Sequence, residues 1–502
     1  MNSGLISIEL GVGLLGLLVL MADLWIAPAN RRYLGWGAAA ALTCLLVFGL
    51  GTLAPQSGTG FSGLYVVDPL ARFFKAFFLL SGVVVLLMTV EYADRLAVGL
   101  SEFFALTLFA VTGMLFAASA NDLTMMFVSL ELITVTFYVL NSFQRGKLAS
   151  IEAGVKYLIL GALASAFMVF GIALIFGSAN TTQFPELALR QRELSGSRIF
   201  LTGLALVLAG LGFKIAAFPF HGWAPDVYQG SPAPATALLA VGSKAAGFVL
   251  LLRLLLGAVP QIAAEWRGCL GGLAVLSLLY GSLCAIPQRS VKRLMGYSSI
   301  ANAGFLLLGV ATVSPAGSLA VLYYMGAYCF TVLAVFTVLC VVMNCSDTDD
   351  MADLAGLGIR SPVLAAVMTL ALASLAGVPP LAGFIGKFLI LRAVVAAGAT
   401  HPGYYGLAAV AVLGAVISLY YYFGIVRMMY WGGEPRERSG IALTPGAGIA
   451  LLVCVVGILY LGIAPHGLLQ LSADAIAPLQ PSGAAVVLSE HLGVVTSSGA
   501  SR

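Results

Sequence analysis

Apolar runs of about twenty residues recur along this chain from end to end, and no other feature limits its fold so strongly. A helix needs about 20 mostly apolar residues to cross the hydrocarbon of a bilayer, and about fourteen stretches qualify. They are Leu5–Ala27, Leu34–Ala54, Leu70–Tyr92, Ser101–Ser119, Asp122–Asn141, Gly154–Ser178, Ile199–Pro219, Pro234–Leu256, Gly268–Ile286, Val291–Ala311, Ser318–Met343, Pro362–Val395, Tyr404–Tyr430 and Ile441–Ala464. The tail from Pro465, with Pro478 and Pro481, is mixed in character and is not read as a span. Of the 502 residues, 60% are hydrophobic and only 9% charged, against about 25% charged in soluble domains. The expected fold is therefore an all-α polytopic membrane protein whose solvent is mostly lipid. The first run has no basic stretch before it, so it reads as a retained helix rather than a cleaved signal.

Composition also narrows the chemistry. A net charge of +4 spread over loops suggests no nucleic-acid partner. The seven cysteines lie mostly in apolar runs and form no CxxC or Cys/His cluster, and the four histidines are scattered. No metal or haem site is expected. No GxGxxG, Walker or iron–sulfur pattern is present, so no cofactor is expected to be bound by this chain. Lysine and arginine concentrate in alternate connections, at Arg31/Arg32, Arg95, Arg145/Lys147, Arg289/Lys292/Arg293, Arg360 and Arg436/Arg438. The positive-inside bias places these in the cytoplasm and, with an even number of spans, both termini outside. Arg190, Arg192, Arg198 and Arg267, in longer loops of the other set, run against the bias.

Two runs are interrupted. In LGFKIAAFPFHGWAPDVYQGSPAPATALLAVGSK (Leu211–Lys244), a run carrying Lys214 breaks at Pro219, and the next carries Lys244 near its middle. The run Pro362–Val395 is too long for one straight crossing and is interrupted at Pro379 and Pro380, with Lys387 just beyond. A proline removes a backbone donor and frees carbonyls, and lipid can satisfy neither. A lysine at membrane depth costs roughly 2.5 to 3.5 kcal/mol on the insertion scale. Breaks and lysines together imply a buried polar path, in which freed carbonyls hold water or a protonated side chain. Interrupted helices at matching places point to an internal repeat, inverted or parallel, with a midplane site.

Glu131 sits midway along the fifth run and completes a set of one acid and several bases. Desolvation penalises the charged form of each, so each is paired or exchanges its proton. That is the composition of a proton relay with an ion-pair switch, the alternative for Glu131 being a structural partner for a lysine. Lys156 and Lys387 also admit snorkelling to an interface. His221 reads equally as a relay group or as a cap for freed backbone. Glu9, Asp23, Arg72 and Lys75 lie nearer span ends and are expected in interfacial or partner-subunit roles. Tyr297, Ser298, Ser299 and Asn302 form a polar stripe, read as helix packing or as a surface that holds water. Tyr420, Tyr421 and Tyr422 are expected to be interfacial aromatics.

The run LGFKIAAFPFHGWAPDVYQGSPAPATALLAVGSKAAGF, together with SVKRLMGYSSIANAGF and SLAGVPPLAGFIGKF, resembles the antiporter-like membrane subunits of respiratory complex I. The resemblance covers most of the chain, from about the fourth span to the thirteenth. It implies two inverted five-helix repeats at 101–258 and 266–432, an N-terminal three-helix segment at 1–100, and a last helix with a short tail at 433–502. It implies a proton relay of Glu131 paired with Lys214, then Lys244, then Lys387, which other members replace with glutamate. Lys156 and His221 also fall on family positions, with roles the resemblance leaves open. The implied partners are other membrane-arm subunits, the lipid bilayer and protons. NADH, FMN, iron–sulfur clusters and quinone would sit in other subunits, and the implied location is the bacterial inner membrane. Two further readings stand beside this one. A subunit of a multi-subunit cation/proton antiporter or membrane-bound hydrogenase would share the fold, whereas a scaffold that moves no protons would gain nothing from buried charges.

Overall fold

The computed structural model describes residues 3–53, 58–96, 98–346, 349–432 and 440–479. Ala54, Pro481, Arg436 and Arg438 lie outside the described residues. In chain order the helices are α1 (Ser7–Asp23), α2 (Arg32–Cys44), α3 (Pro69–Glu91), α4 (Leu100–Ala118), α5 (Leu123–Asn141), α6 (Leu148–Ala179) and α7 (Phe184–Leu194). Next come α8 (Arg198–Lys214), α9 (Ala224–Gly230), α10 (Ala233–Ala258), α11 (Ala263–Ala285), α12 (Val291–Ala311) and α13 (Pro315–Met343). The set closes with α14 (Pro362–Ala376), α15 (Ala382–Gly398), α16 (Gly403–Trp431), α17 (Pro445–Ile463) and α18 (His466–Ile476). A small hairpin, β1 (Gly58–Gly60) against β2 (Tyr65–Val67), pairs Thr59 with Val66 before α3.

The helix starts follow local chemistry. Asp68 caps α3 through Ala71 N–H at 2.7 Å, with Pro69 as the first helical residue. Ser314–Pro315 and Thr444–Pro445 open α13 and α17 in the same way. Among the described residues eleven helices are long and apolar enough to cross a membrane. Three further crossings are made in two pieces: α2 with its continuation to Leu53, α8 with α9, and α14 with α15. These account for the fourteen spans expected. The breaks fall in the seventh and twelfth crossings. Crossings five apart traverse the bilayer in opposite directions, so a repeat that relates them is inverted.

Both breaks fall where the prolines predicted. α8 stops at Lys214, and residues 215–223, containing Pro219, separate it from α9. α14 stops at Gly377, whose φ of 91° is open to glycine, and Pro379 and Pro380 precede α15. Burial places the site: the apolar window of α10 is 100% buried and that of α12 94%, while those of α1 and α6 are only 28% buried. The helices that carry Lys244 and the polar stripe are thus, with α13, the most enclosed of these eleven.

The structure corrects the expectation for Glu9 and Lys75. They are fully buried and face each other at 2.8 Å, and the Tyr65 hydroxyl donates to Glu9 at 2.7 Å and accepts from Lys75 at 2.8 Å. One turn into α1, Glu9 points at α3 rather than at lipid, a choice that position along a helix cannot reveal. Asp23 does lie at a span end, paired with Arg31 at 2.7 Å. Lys292, counted among the loop charges, is buried and donates to the Ser231 carbonyl at 2.7 Å. The loop after α6 contains a helix of its own, α7, and the tail begins with a further helix, α18.

Candidate functional site

Three lysines lie buried along the middle of the bundle: Lys214 at the end of α8, Lys244 within α10 and Lys387 within α15. Lys214 donates to the Thr134 hydroxyl of α5. It packs against α10 at Gly247, where an added Cβ would lie 3.3 Å from the lysine's own Cβ, so glycine permits the approach. Gly247 is one turn from Lys244, so the end of α8 packs on the same stretch of α10 that carries the second lysine.

Lys244 donates to the Ser299 carbonyl at 2.6 Å and also to the Ser299 hydroxyl. That hydroxyl in turn shares a 2.8 Å hydrogen bond with Tyr228. The stripe on α12 continues from there. Ser298 bonds Tyr422, Asn302 donates to Ser298 at 3.3 Å, and Tyr324 donates to Asn302 at 2.6 Å. Phe305, one turn further, lies beneath the Lys387 ammonium at 5.0 Å. From Ser299 to Phe305 the helix rises about 9 Å. α12 thus lies between Lys244 and Lys387, and Ser298, Ser299 and Asn302 of the stripe are taken up by hydrogen bonds from neighbouring helices.

Lys387 donates to the Leu375 carbonyl at 2.6 Å and to the Ala376 carbonyl at 3.4 Å, both in the last turn of α14. The second break therefore presents freed carbonyls to a lysine, as its prolines suggested. His221 is buried in the first break, its ring 5.2 Å from Phe218 and 4.3 Å from Tyr280, and its Nδ1 has no hydrogen-bond partner among the described residues. That nitrogen caps no freed backbone group among the described residues.

Two of the expected relay residues also have other partners. Glu131 is half-buried and accepts from Ser165, close enough for its charge to act on Lys214, which donates to the Thr134 hydroxyl one turn along α5. The exposed neighbours Val128, Leu132 and Val135 show that this face of α5 turns outward from the bundle. Lys156 stands apart from the buried row, partly exposed, and bonds Asp226 and Glu152 at 2.6 Å each, while Arg293 also bonds Asp226. Tyr421 and Tyr422 are buried, correcting the interfacial reading, and only Tyr420 of the three is exposed. Among the described residues no group of three or more His, Cys, Asp or Glu could hold a metal ion.

Buried lysines joined by a polar helix face, between two broken crossings, define an antiporter-like membrane protein. The NADH:quinone oxidoreductase/Mrp antiporter transmembrane family matches residues 120–418, and the chain belongs to that family. It is 38% identical over 464 residues to NADH-quinone oxidoreductase subunit N of Moorella thermoacetica, covering 92% of this chain and 96% of the relative. A chain of respiratory complex I from Thermus thermophilus with bound aureothin superposes with a TM-score of 0.76 at 31% identity, covering 93% of this chain and 99% of that one. A chain of the Mrp complex from Dietzia sp. shares the fold, with a TM-score of 0.81 at 22% identity over 95% of this chain and 98% of that one. The family resemblance drawn from the sequence motifs is thereby borne out.

Proposed function

We propose that this chain is subunit N of a proton-translocating NADH:quinone oxidoreductase and moves protons through its buried lysines, driven by quinone reduction in neighbouring subunits. The observation that carries this reading is the placement of α12 between two buried lysines: its Ser299 accepts from Lys244, and its Phe305 ring lies against Lys387, with Ser298 and Asn302 near them on the same helix. Lys214 packs on α10 one turn from Lys244, and a positive charge brought near one lysine disfavours charge on the other. Glu131 acts on Lys214 through its charge, and a closer approach would hold the Lys214 charge more firmly and change the proton affinity of Lys244. A proton leaving Lys244 passes Ser299, Ser298, Asn302 and their tyrosine partners on the way to Lys387, with water bridging the steps that no direct side-chain hydrogen bond spans. His221 exchanges protons beside the first break, and Lys156 stands apart from it in the Asp226 ion pair. In this reading NADH, FMN, iron–sulfur clusters and quinone belong to other subunits, and this chain has no redox centre. Its partners are the other membrane-arm subunits and the bilayer of the bacterial inner membrane, with both termini periplasmic. The working units are 101–258 and 266–432, flanked by 1–100 and 433–502.

The fold shared with the Mrp chain supports a second reading, a cation/proton antiporter or membrane-bound hydrogenase subunit. Replacing Lys387 tests the relay under the first. Lys387→Glu keeps a titratable group and is expected to retain NADH-driven proton translocation within about threefold of wild type. Lys387→Met is expected to reduce flux through this chain at least tenfold, or about 1.4 kcal/mol. Equal translocation by both variants in inverted vesicles would remove Lys387 from the path. Lack of NADH-driven activity in every preparation of the wild-type complex would favour the second reading.

A further inference from the structure

A cavity of about 680 Å³ opens on the side of the bundle between α3, α13, α17 and α18, away from the lysine path. It is lined on α3 by Arg72, Ala76 and Leu80, on successive turns, and opposite by Phe330, Tyr460 and Asp474. Arg72, in the first turn of α3, and Asp474, near the end of α18, are the two charged residues that line it. The rest of the wall is almost wholly apolar. From Arg72 to Leu80 the groove descends about 12 Å, most of one leaflet of a hydrocarbon layer about 30 Å thick.

These two charges are unusual. Arg72 is partly buried and Asp474 exposed, and neither side chain has a hydrogen-bond or ion-pair partner among the described residues. Asp68, one turn before Arg72, is already bound by Arg253. A charge at a membrane surface is stabilised by a counter-charge, and here one unpaired cation and one unpaired anion flank an acyl-sized slot. We infer that the groove binds a diacyl phospholipid with a phosphoethanolamine headgroup. Its phosphate is bound by Arg72 through charge-assisted hydrogen bonds, its primary ammonium by Asp474, and one acyl chain lies over Ala76 and Leu80. A purely anionic headgroup would meet Asp474 with like charge.

The test uses the assembled complex, delipidated and reconstituted in nanodiscs of equal phosphatidylethanolamine and phosphatidylglycerol, with native mass spectrometry of the lipid retained on this chain. Wild type is expected to retain phosphatidylethanolamine over phosphatidylglycerol by at least fivefold. Arg72→Gln is expected to lower that retention about tenfold, and Asp474→Asn to erase the preference. Ala76→Phe, which fills the groove without touching the charges, is expected to prevent retention while the complex still assembles. Equal retention of both lipids by wild type, or retention unchanged in Arg72→Gln and Ala76→Phe, would overturn the assignment. So would crosslinking of an Ala76→Cys variant to a neighbouring subunit, which would show protein rather than lipid in the groove.

Discussion

Lys244→Met is expected to reduce proton flux through this chain about a hundredfold while the complex still assembles. Methionine has similar length and no titratable group. A proton crossing that layer would then have to do so without the ammonium that Ser299 stabilises. The cost of charge at that depth, roughly 2.5 to 3.5 kcal/mol, corresponds to about a hundredfold in rate at about 1.4 kcal/mol per tenfold. Assembly is expected to survive, because removing a buried charge removes a desolvation penalty and Tyr228 still bonds the Ser299 hydroxyl. The readout is protons moved per NADH oxidised in vesicles containing the assembled complex. An unchanged ratio in a normally assembled variant would exclude Lys244 from the path.

Arg253→Met is expected to have the largest effect on stability. The Arg253 guanidinium makes a two-pronged contact with Asp68 at 2.9 and 2.8 Å and bonds the Ala118 carbonyl at 3.0 and 2.7 Å, all buried. It ties α10 of the first repeat to the start of α3 and the end of α4. Removing it leaves Asp68 charged and unpaired inside the protein, a loss of about 3–5 kcal/mol. The steady-state amount of assembled complex is expected to fall severalfold and its thermal midpoint to drop. Because the penalty comes from the orphaned carboxylate, adding Asp68→Asn should restore part of the loss. An Arg253→Met complex as abundant and heat-stable as wild type would show that the bridge contributes nothing.

These residues also mark how far the sequence could be read. Crossing number was legible because a span is a property of about twenty consecutive residues. So were both breaks, because Pro219, Pro379 and Pro380 act on their own backbone. The three central lysines were legible because a charge inside an apolar run is too costly to stand there without a buried polar environment. What each charge faces was not. Asp68 and Arg253 are 185 residues apart, and Glu9 meets Lys75 only because α1 and α3 pack at that height. Three adjacent tyrosines point about 100° apart around a helix. Without the packing of α16 on α12, nothing distinguishes Tyr422, which bonds Ser298, from the exposed Tyr420. The polar stripe on α12 was visible from its spacing, whereas its position between Lys244 and Lys387 required the fold. Glu131 was legible as a buried carboxylate, whereas the Thr134 hydroxyl that receives Lys214 one turn along α5 was not, because nothing in the sequence says which helix Lys214 faces.

The most direct test of a relay through these lysines is proton translocation by membrane vesicles containing the assembled complex, driven by NADH, comparing wild type with Lys214→Ala while NADH oxidation is followed in parallel. The relay predicts that translocation is lost, with or without a fall in oxidation, because Lys214 sets the charge beside Lys244. Full translocation with normal assembly would contradict it and leave Lys214 as packing at the end of a broken helix.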